Sequence, residues 1–455
     1  MKRRTFLSSA GAAAASLALR SATSALCSPL LAEPAPAADY TLRIHSIDLE
    51  IAPGVKISTV AYNGQVPGPM LRFKEGVPVR IDVFNETSVP EVVHWHGLHI
   101  DSYDDGATEE GSPLIPSHGR LTYRFTPNPS GTRWYHTHIS AMSDLTRATY
   151  TGQFGFIYIE PKYDSGSYDR EVFLAIHHWE PFWTRMPPPM NARTVSYKYA
   201  TFNDKTLAAA EPIRVRSGER VMFRILNASA TRNVSLALPG HLFTVVGMDG
   251  NPVPQPRQVE TIALGVAERI DAIVEMDSVG IWILGSTEAE ERQQGLGRVI
   301  EYAGATGAPT WVDPAMVRWN YLDFANPTKQ TAHTDEVPMI IAPVPADKEG
   351  FERWSLNGKS FPDTPVIPVK KGGRYRLSFV NSSAESHPLH LHRHSFEVVS
   401  IGGKPCSGLM KDVVTINPYS SLNFDFVADN PGKTLFHCHQ QLHMDYGFMQ
   451  LIDYV

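Results

Sequence analysis

Three stretches of the chain share one arrangement of apolar and polar positions, an alternating run that closes on an asparagine and leads into a second apolar strand. They are Val79-Arg80-Ile81-Asp82-Val83-Phe84-Asn85, Arg220-Val221-Met222-Phe223-Arg224-Ile225-Leu226-Asn227 and Arg374-Tyr375-Arg376-Leu377-Ser378-Phe379-Val380-Asn381. Alternation with period two predicts half-buried β-strands. Recurrence at intervals of roughly 150 residues, one domain length, predicts a threefold internal repeat. A second element follows in each unit, a glycine leading an aromatic-rich strand: Gly131-Thr132-Arg133-Trp134-Tyr135-His136-Thr137-His138, Gly280-Ile281-Trp282-Ile283-Leu284 and Gly432-Lys433-Thr434-Leu435-Phe436-His437-Cys438-His439. The first and third carry histidines and the middle one does not. Short strands between frequent turns, with 33 Gly and 35 Pro in the chain, predict an all-β protein of three similar sandwiches. Their expected ranges are 39–162, 163–320 and 321–455. Helical signal is confined to short segments such as Ser140 to Thr149.

Composition narrows the class. A chain of 455 residues with 42% hydrophobic and 19% charged positions can build its cores unaided, and a net charge of −6 speaks against a nucleic-acid partner. Three cysteines, Cys27, Cys406 and Cys438, cannot make a disulfide framework; Cys406 reads as a buried thiol. At the N-terminus, Lys2, Arg3 and Arg4 precede Thr5-Phe6-Leu7, an Ala-rich apolar stretch and small residues through Ala38. Residues 1–38 resemble a twin-arginine export signal, and the apolar stretch is about half the roughly 20 residues that a membrane span needs. Cleavage and a periplasmic or secreted mature protein without a membrane span are expected.

Of 18 histidines, ten fall in four short motifs: His94-Trp95-His96-Gly97, His136-Thr137-His138, His387-Pro388-Leu389-His390-Leu391-His392, and His437-Cys438-His439 with His443. Side chains one residue apart on extended backbone point the same way. His94/His96, His136/His138, His390/His392 and His437/His439 are therefore four two-ligand clamps, enough imidazole for a cluster of several metal ions. Cys438, between the last pair, points to the opposite face and serves a different metal. With His387 and His443 it makes the two-His, one-Cys set of a blue-copper electron-transfer centre. A structural zinc site would close on four ligands and be redox-inert.

These four motifs, two near each end, resemble those of the three-domain multicopper oxidases of laccase type. The resemblance covers essentially the whole mature chain. It implies three cupredoxin-like Greek-key β-sandwiches, with a trinuclear cluster between the first and third. It implies four copper ions: type 1 held by His387, Cys438 and His443; type 2 by His94 and His390; and a type 3 pair by His96, His136, His138, His392, His437 and His439. The implied activity is one-electron oxidation of a small reductant at type 1 copper, coupled to four-electron reduction of O2 to water. Ser235-Leu236-Ala237-Leu238 marks a middle unit without ligands.

Some positions depart from the family pattern or bear on tuning. Phe448, ten residues beyond Cys438, stands where many bacterial relatives have an axial Met, so a non-coordinating axial position and a raised type 1 potential are expected; a one-residue slip of the loop would bring Met449 there instead. Asp105, nine residues past His96, sits at the family's proton-relay acid, whereas Met444 follows His443 where some relatives carry a second acid. Arg393 replaces the glycine usual in the third motif. His99 and His394 match no ligand position. The leading expectation is a laccase acting on phenols or aromatic amines. A Cu(I) or Fe(II) metallo-oxidase is the alternative, weakened by 13 Met without a Met-rich run. A non-catalytic cell-envelope protein of the same fold is a third reading, disfavoured by the intact motifs. The substrate is expected over His387 and His443, with the loop through Trp179, Phe182, Trp183 and Met186 as a candidate aromatic wall, a run that core packing explains equally well.

Overall fold

The computed structural model describes residues 37–162, 168–187, 191–327 and 332–455. The export segment expected over 1–38, with Cys27, lies outside them but for its last two residues, as does the start of the expected second domain at 163–167. Among the described residues no helix is long and apolar enough to cross a membrane.

The alternation seen in the sequence builds the sheets. In Val79–Asn85 the side chains of Ile81 and Val83 are buried while Asp82 between them is not; burying one face of each strand is what drives two sheets together. Six sheets form among the described residues. A six-stranded sheet of the middle unit runs Arg193–Phe202, Arg170–Arg185, Arg220–Asn227, Arg269–Glu275, Phe243–Met248, Asn251–Val259. Its partner runs Ile213–Val215, Gly297–Tyr302, Ile281–Ser286, Val234–Ala237, Thr261–Leu264. The unit between Asp335 and Tyr454 repeats both orders strand for strand, and the one between Tyr40 and Glu160 repeats them with the outer strands missing. The strands are connected out of sequence order, as Greek-key sandwiches require. This superposition of orders places Val234–Ala237 and Ile281–Ser286 of the middle unit where the other two units carry their histidine strands.

The repeated asparagine has a structural reason. Asn85, Asn227 and Asn381 are buried, and each brackets the turn that leaves its strand. Asn227 donates from Nδ2 to Arg232 O at 2.8 Å and Leu264 O at 3.1 Å and accepts from Ser229 N at 3.1 Å. Asn381 does the same for Glu385 O, Asn417 O and Ser383 N. The turn so fixed in the third unit delivers the chain to His387.

Two local expectations are corrected. Ser140–Thr149 is not helical except for a short 3-10 turn at Ala148–Tyr150; the N–H groups of Ala141 and Met142 donate instead to Asp445 Oδ2, at 3.0 and 2.8 Å, and so leave the helical ladder. Trp179 to Trp183 is no loop but part of the long strand Arg170–Arg185.

Truncating Asn227 to Ala leaves two carbonyls and an amide without their partner. The variant should lose at least about 3 kcal/mol, at about 1–3 kcal/mol for each of the three polar groups left unmet. Calorimetry should show its midpoint several degrees lower, and an unchanged midpoint would deny the bracket any weight.

Candidate metal centres

The four His-x-His pairs converge. His94 lies opposite His136 in one antiparallel ladder, and His390 opposite His437 in another. Residues so placed share a face. Ring centroids within the pairs are 5.4 Å apart for His94/His96, 6.1 Å for His136/His138, 4.7 Å for His390/His392 and 5.4 Å for His437/His439. His138, His392 and His439 lie just past the ends of their strands, so extended backbone alone carries the alternation there. The faces of the first and third units meet: His94 stacks 4.0 Å from His392, and His96 3.9 Å from His390. His437 Nε2 is 3.4 Å from His138 Nε2 and 3.0 Å from His392 Nε2, and His136 Nε2 is 3.4 Å from His96 Nδ1.

Outward nitrogens are anchored, which fixes what points inward. Nδ1–H of His94, His390, His136 and His437 donates to the carbonyls of Asp105, Asp412, Thr137 and Cys438, at 2.7 to 2.8 Å. His392 Nδ1 meets Asp105 Oδ2 at 2.8 Å, and His96 meets Asp412 Oδ1 through Nε2 at 3.0 Å.

Cys438 faces the other way. Its Sγ lies 3.8 Å from His387 Nδ1 and 3.5 Å from His443 Nδ1, and those two nitrogens are 3.0 Å apart. His387 Nε2 meets Ser383 Oγ at 3.0 Å, and His443 Nε2 lies 3.4 Å from the Glu385 carboxylate. The Phe448 ring sits 5.1 Å from that of His387. Met449 lies opposite His437 in the ladder and packs elsewhere, with Ala107, Leu435 and Met444. The hydrogen bonds from Cys438 N to Phe448 O and from Phe448 N to His443 O, at 3.2 and 3.0 Å, hold this register.

The donor sets fit copper. Burial, and then the neighbouring imidazoles, push His96, His136, His138, His390, His392 and His439 well below the usual histidine range. Burial takes His437 down to about 3. These rings are neutral at pH 7 and present lone pairs. Nε2 of His94, His390 and His439 is buried without a hydrogen-bond partner among the described residues, a situation that costs about 1–3 kcal/mol per group unless something binds there. His387, Cys438 and His443 offer three ligand atoms within 4.8 Å of one another. Imidazole with one thiolate suits copper, and a bound cation would displace the proton that burial otherwise holds on the Cys438 thiol.

Around the imidazoles stands a shell of buried charge that the sequence did not reveal. Asp412 binds Arg269 by a two-pronged contact, Oδ1–Nη1 and Oδ2–Nη2 both at 2.6 Å, and takes Arg133 Nη1 at 3.1 Å. Asp249 meets Lys411 at 3.0 Å, and Lys411 meets Glu268 at 3.1 Å. All six groups are buried, three cations against three anions drawn from all three units. Gly97 makes room for them: at φ +82° an added Cβ would stand 2.6 Å from Asp412 Oδ2 and 2.9 Å from Arg269 Nη2. Glu110 joins Asp105 near His392 Nδ1, at 3.4 Å; burial, then the Asp105 carboxylate, push it well above the ordinary carboxylate range. His99 is half-buried and hydrogen-bonded to Ser395, and His394 is buried and hydrogen-bonded to Tyr454. Cys406 is a buried thiol donating to Val398 O at 3.3 Å.

A cleft of about 260 Å³ opens beside His443, between the middle and third units. Trp354 forms its inner wall, its ring 4.4 Å from His387 and 4.5 Å from His443. Glu352 and Glu385 line it together with Arg193 and Arg232. Met186 of the expected aromatic wall lines the cleft, and Trp183 stands behind two of its lining residues, 5.2 Å from the Phe351 ring and 5.9 Å from the Arg193 guanidinium. Phe182 is exposed, and Trp179 is buried against His177.

Cupredoxin-like sandwiches carrying these two donor sets define a copper-dependent oxidoreductase. The chain belongs to the multicopper oxidase family, whose sequence models match residues 43–164, 175–303 and 321–453, and it uses dioxygen as electron acceptor. It is 28% identical over 441 residues to the multicopper oxidase MmcO of Mycobacterium tuberculosis, covering 88% of this chain and 84% of that one. To the laccase of Trametes maxima it is 26% identical over 486 residues, covering 91% and 92%. In fold it is similar to Fet3p, a multicopper oxidase that functions in iron import, with a TM-score of 0.77 at 18% identity over 91% of this chain and 90% of that one.

Arg269→Leu removes the cation shared by Asp412 and Asp249 and leaves carboxylates buried without it. Breaking one partner of a buried pair costs about 3–5 kcal/mol, so denaturant unfolding should show a loss of that size. The Asp249 carboxyl is raised by burial, but Lys411 and Arg269 outweigh this and hold it below its ordinary 3.8. Its stabilisation should thus be complete above about pH 5 and drain away only as pH falls through the depressed value.

Proposed function

We propose that the protein is a laccase-type oxidase that takes electrons singly from phenols or aromatic amines and passes four to dioxygen, forming water. The observation that carries this reading is the cleft at His443, where the carboxylates of Glu352 and Glu385 are balanced by the guanidinium groups of Arg193 and Arg232 beside an aromatic wall. Such a pocket suits a flat, neutral, hydrogen-bonding ring better than a bare cation.

In this reading four copper ions are held, type 1 by His387, Cys438 and His443 with Phe448 as a non-coordinating neighbour, type 2 by His94 and His390. The type 3 pair takes His96, His136 and His439 on one side and His138, His392 and His437 on the other. Copper supplies a one-electron acceptor at the thiolate site and electrons for dioxygen at the cluster. The chain does the rest. Glu385, 3.4 Å from His443 Nε2, accepts a hydrogen bond from the substrate hydroxyl or amine and aims the ring at His443. Trp354 shields both histidines from water. The peptide His437-Cys438-His439 joins the two sites covalently. Asp105 is the proton relay: its Oδ2 holds His392, and its buried Oδ1 has no partner among the described residues and can carry a proton. Domain ranges of 39–162, 163–320 and 321–455, and export to the periplasm or beyond, complete the proposal.

The Glu352–Glu385 pair also favours a second reading, a Cu(I) or Fe(II) oxidase whose ion sits on those carboxylates. Turnover of a phenol against Cu(I) and Fe(II) on fully loaded protein decides between them. Glu385→Gln should lower kcat/KM for a phenol about tenfold, the worth of one hydrogen bond to a charged acceptor. If metal-ion turnover exceeds that of the phenol and Glu385→Gln raises only the KM for the metal ion, the laccase reading fails. Phe448→Met adds a thioether that stabilises copper(II), so redox titration should find a lower type 1 potential.

A further inference from the structure

Arg393 follows His392 at φ +60°, in the left-handed region that favours glycine. Its side chain nevertheless is 1% exposed, and each of its five N–H groups finds an acceptor. Nε donates to Ile100 O at 2.9 Å, Nη1 to Lys433 O at 2.7 Å and Thr434 Oγ1 at 3.0 Å, and Nη2 to Asn430 O at 3.2 Å and Pro431 O at 2.8 Å. Every one of those acceptors is neutral. The acidic side chain that faces the charge is Glu110, its Oε2 3.9 Å from Nε.

Glu110 is itself 4% exposed. Its Oε1 accepts the Leu435 N–H at 2.6 Å and lies 3.4 Å from His392 Nδ1, the same nitrogen that Asp105 Oδ2 meets at 2.8 Å. Ile100 and Glu110 belong to the first unit, Arg393 and Leu435 to the third. Asn430 of the third unit adds a bond from Nδ2 to Ile100 O at 2.9 Å. A buried guanidinium and a buried carboxyl group thus face each other across the seam, Arg393 next to His392 and Glu110 bonded to Leu435, two residues before His437.

We infer that Arg393 and Glu110 are paired positioning residues for the trinuclear cluster, locking the first unit to the third so that His392 stays between Asp105 and Glu110. The inference rests on the ligand reading proposed above. It accounts for an arginine at a glycine-favouring position: five fixed acceptors demand a planar fork, which lysine does not have. It also makes the two residues interdependent, since removing either leaves the other's polar head buried without the group it faces.

Arg393→Gly, Glu110→Gln and the double variant, each as copper-loaded full chain, test this. The readouts are copper per chain, the type 2 paramagnetic resonance signal, the thiolate-to-copper absorption, and the rates of reduction by a phenol and of reoxidation by dioxygen. Each single variant should keep the thiolate absorption and the reduction rate within twofold of native. Trinuclear copper should fall by half or more and reoxidation at least tenfold, with the double variant less impaired than the worse single. If Arg393→Gly does not fold, Arg393→Lys is read in its place and should fall between native and Glu110→Gln. Singles within twofold of native throughout, equal loss at both centres, or strictly additive losses would overturn the pairing. Fully metallated native protein without thiolate absorption would overturn the ligand reading itself, a result visible before any variant is made.

Discussion

A β-strand presents opposite faces at successive residues, and in this molecule that constraint is concentrated in three positions, His437, Cys438 and His439. Their backbone carries imidazoles to one side and sulfur to the other, so two separate donor sets share a single tripeptide. Everything nearby serves to keep the parity intact. The ladder with His387–Leu391 matches His390 to His437 and Leu389 to Cys438, and the turn after His443 returns Phe448 to the sulfur side while Met449 stays on the other.

Two units supply the rings and the third steadies them. The middle unit repeats the sheet order of its neighbours, but the strands matching their histidine strands bear Leu236 and Leu284, both buried in its core. Its contribution to the cluster includes Arg269, which grips Asp412 and through it the outward nitrogen of His96. A cluster built across a seam between two units needs such a brace, because neutral rings repel nothing and attract little until a cation arrives.

Much of this could be read along the chain and some could not. The threefold repeat, the strand character of the histidine motifs and the opposed direction of Cys438 depend on period-two alternation, which is local. Asp412, Arg269 and Glu110 carry no such signature; each gains meaning only from groups more than a hundred residues away that folding brings within 4 Å. Arg393 stood out as an anomaly in sequence and found its explanation in Glu110 and a ring of carbonyls. Ser140–Thr149 misled for the same reason, since Asp445, from the far end of the chain, takes the amides that a helix would have used.

The cleft at His443 draws its walls from two sources: Met186, Arg193 and Arg232 come from the middle unit, Glu352, Trp354 and Glu385 from the third. Those three middle-unit residues belong to neither donor set. Selection can therefore reshape half of the cleft, exchanging charge or bulk among those three side chains, while both donor sets stay untouched. A lineage with this layout is free to change what fits beside His443 without rebuilding either donor set.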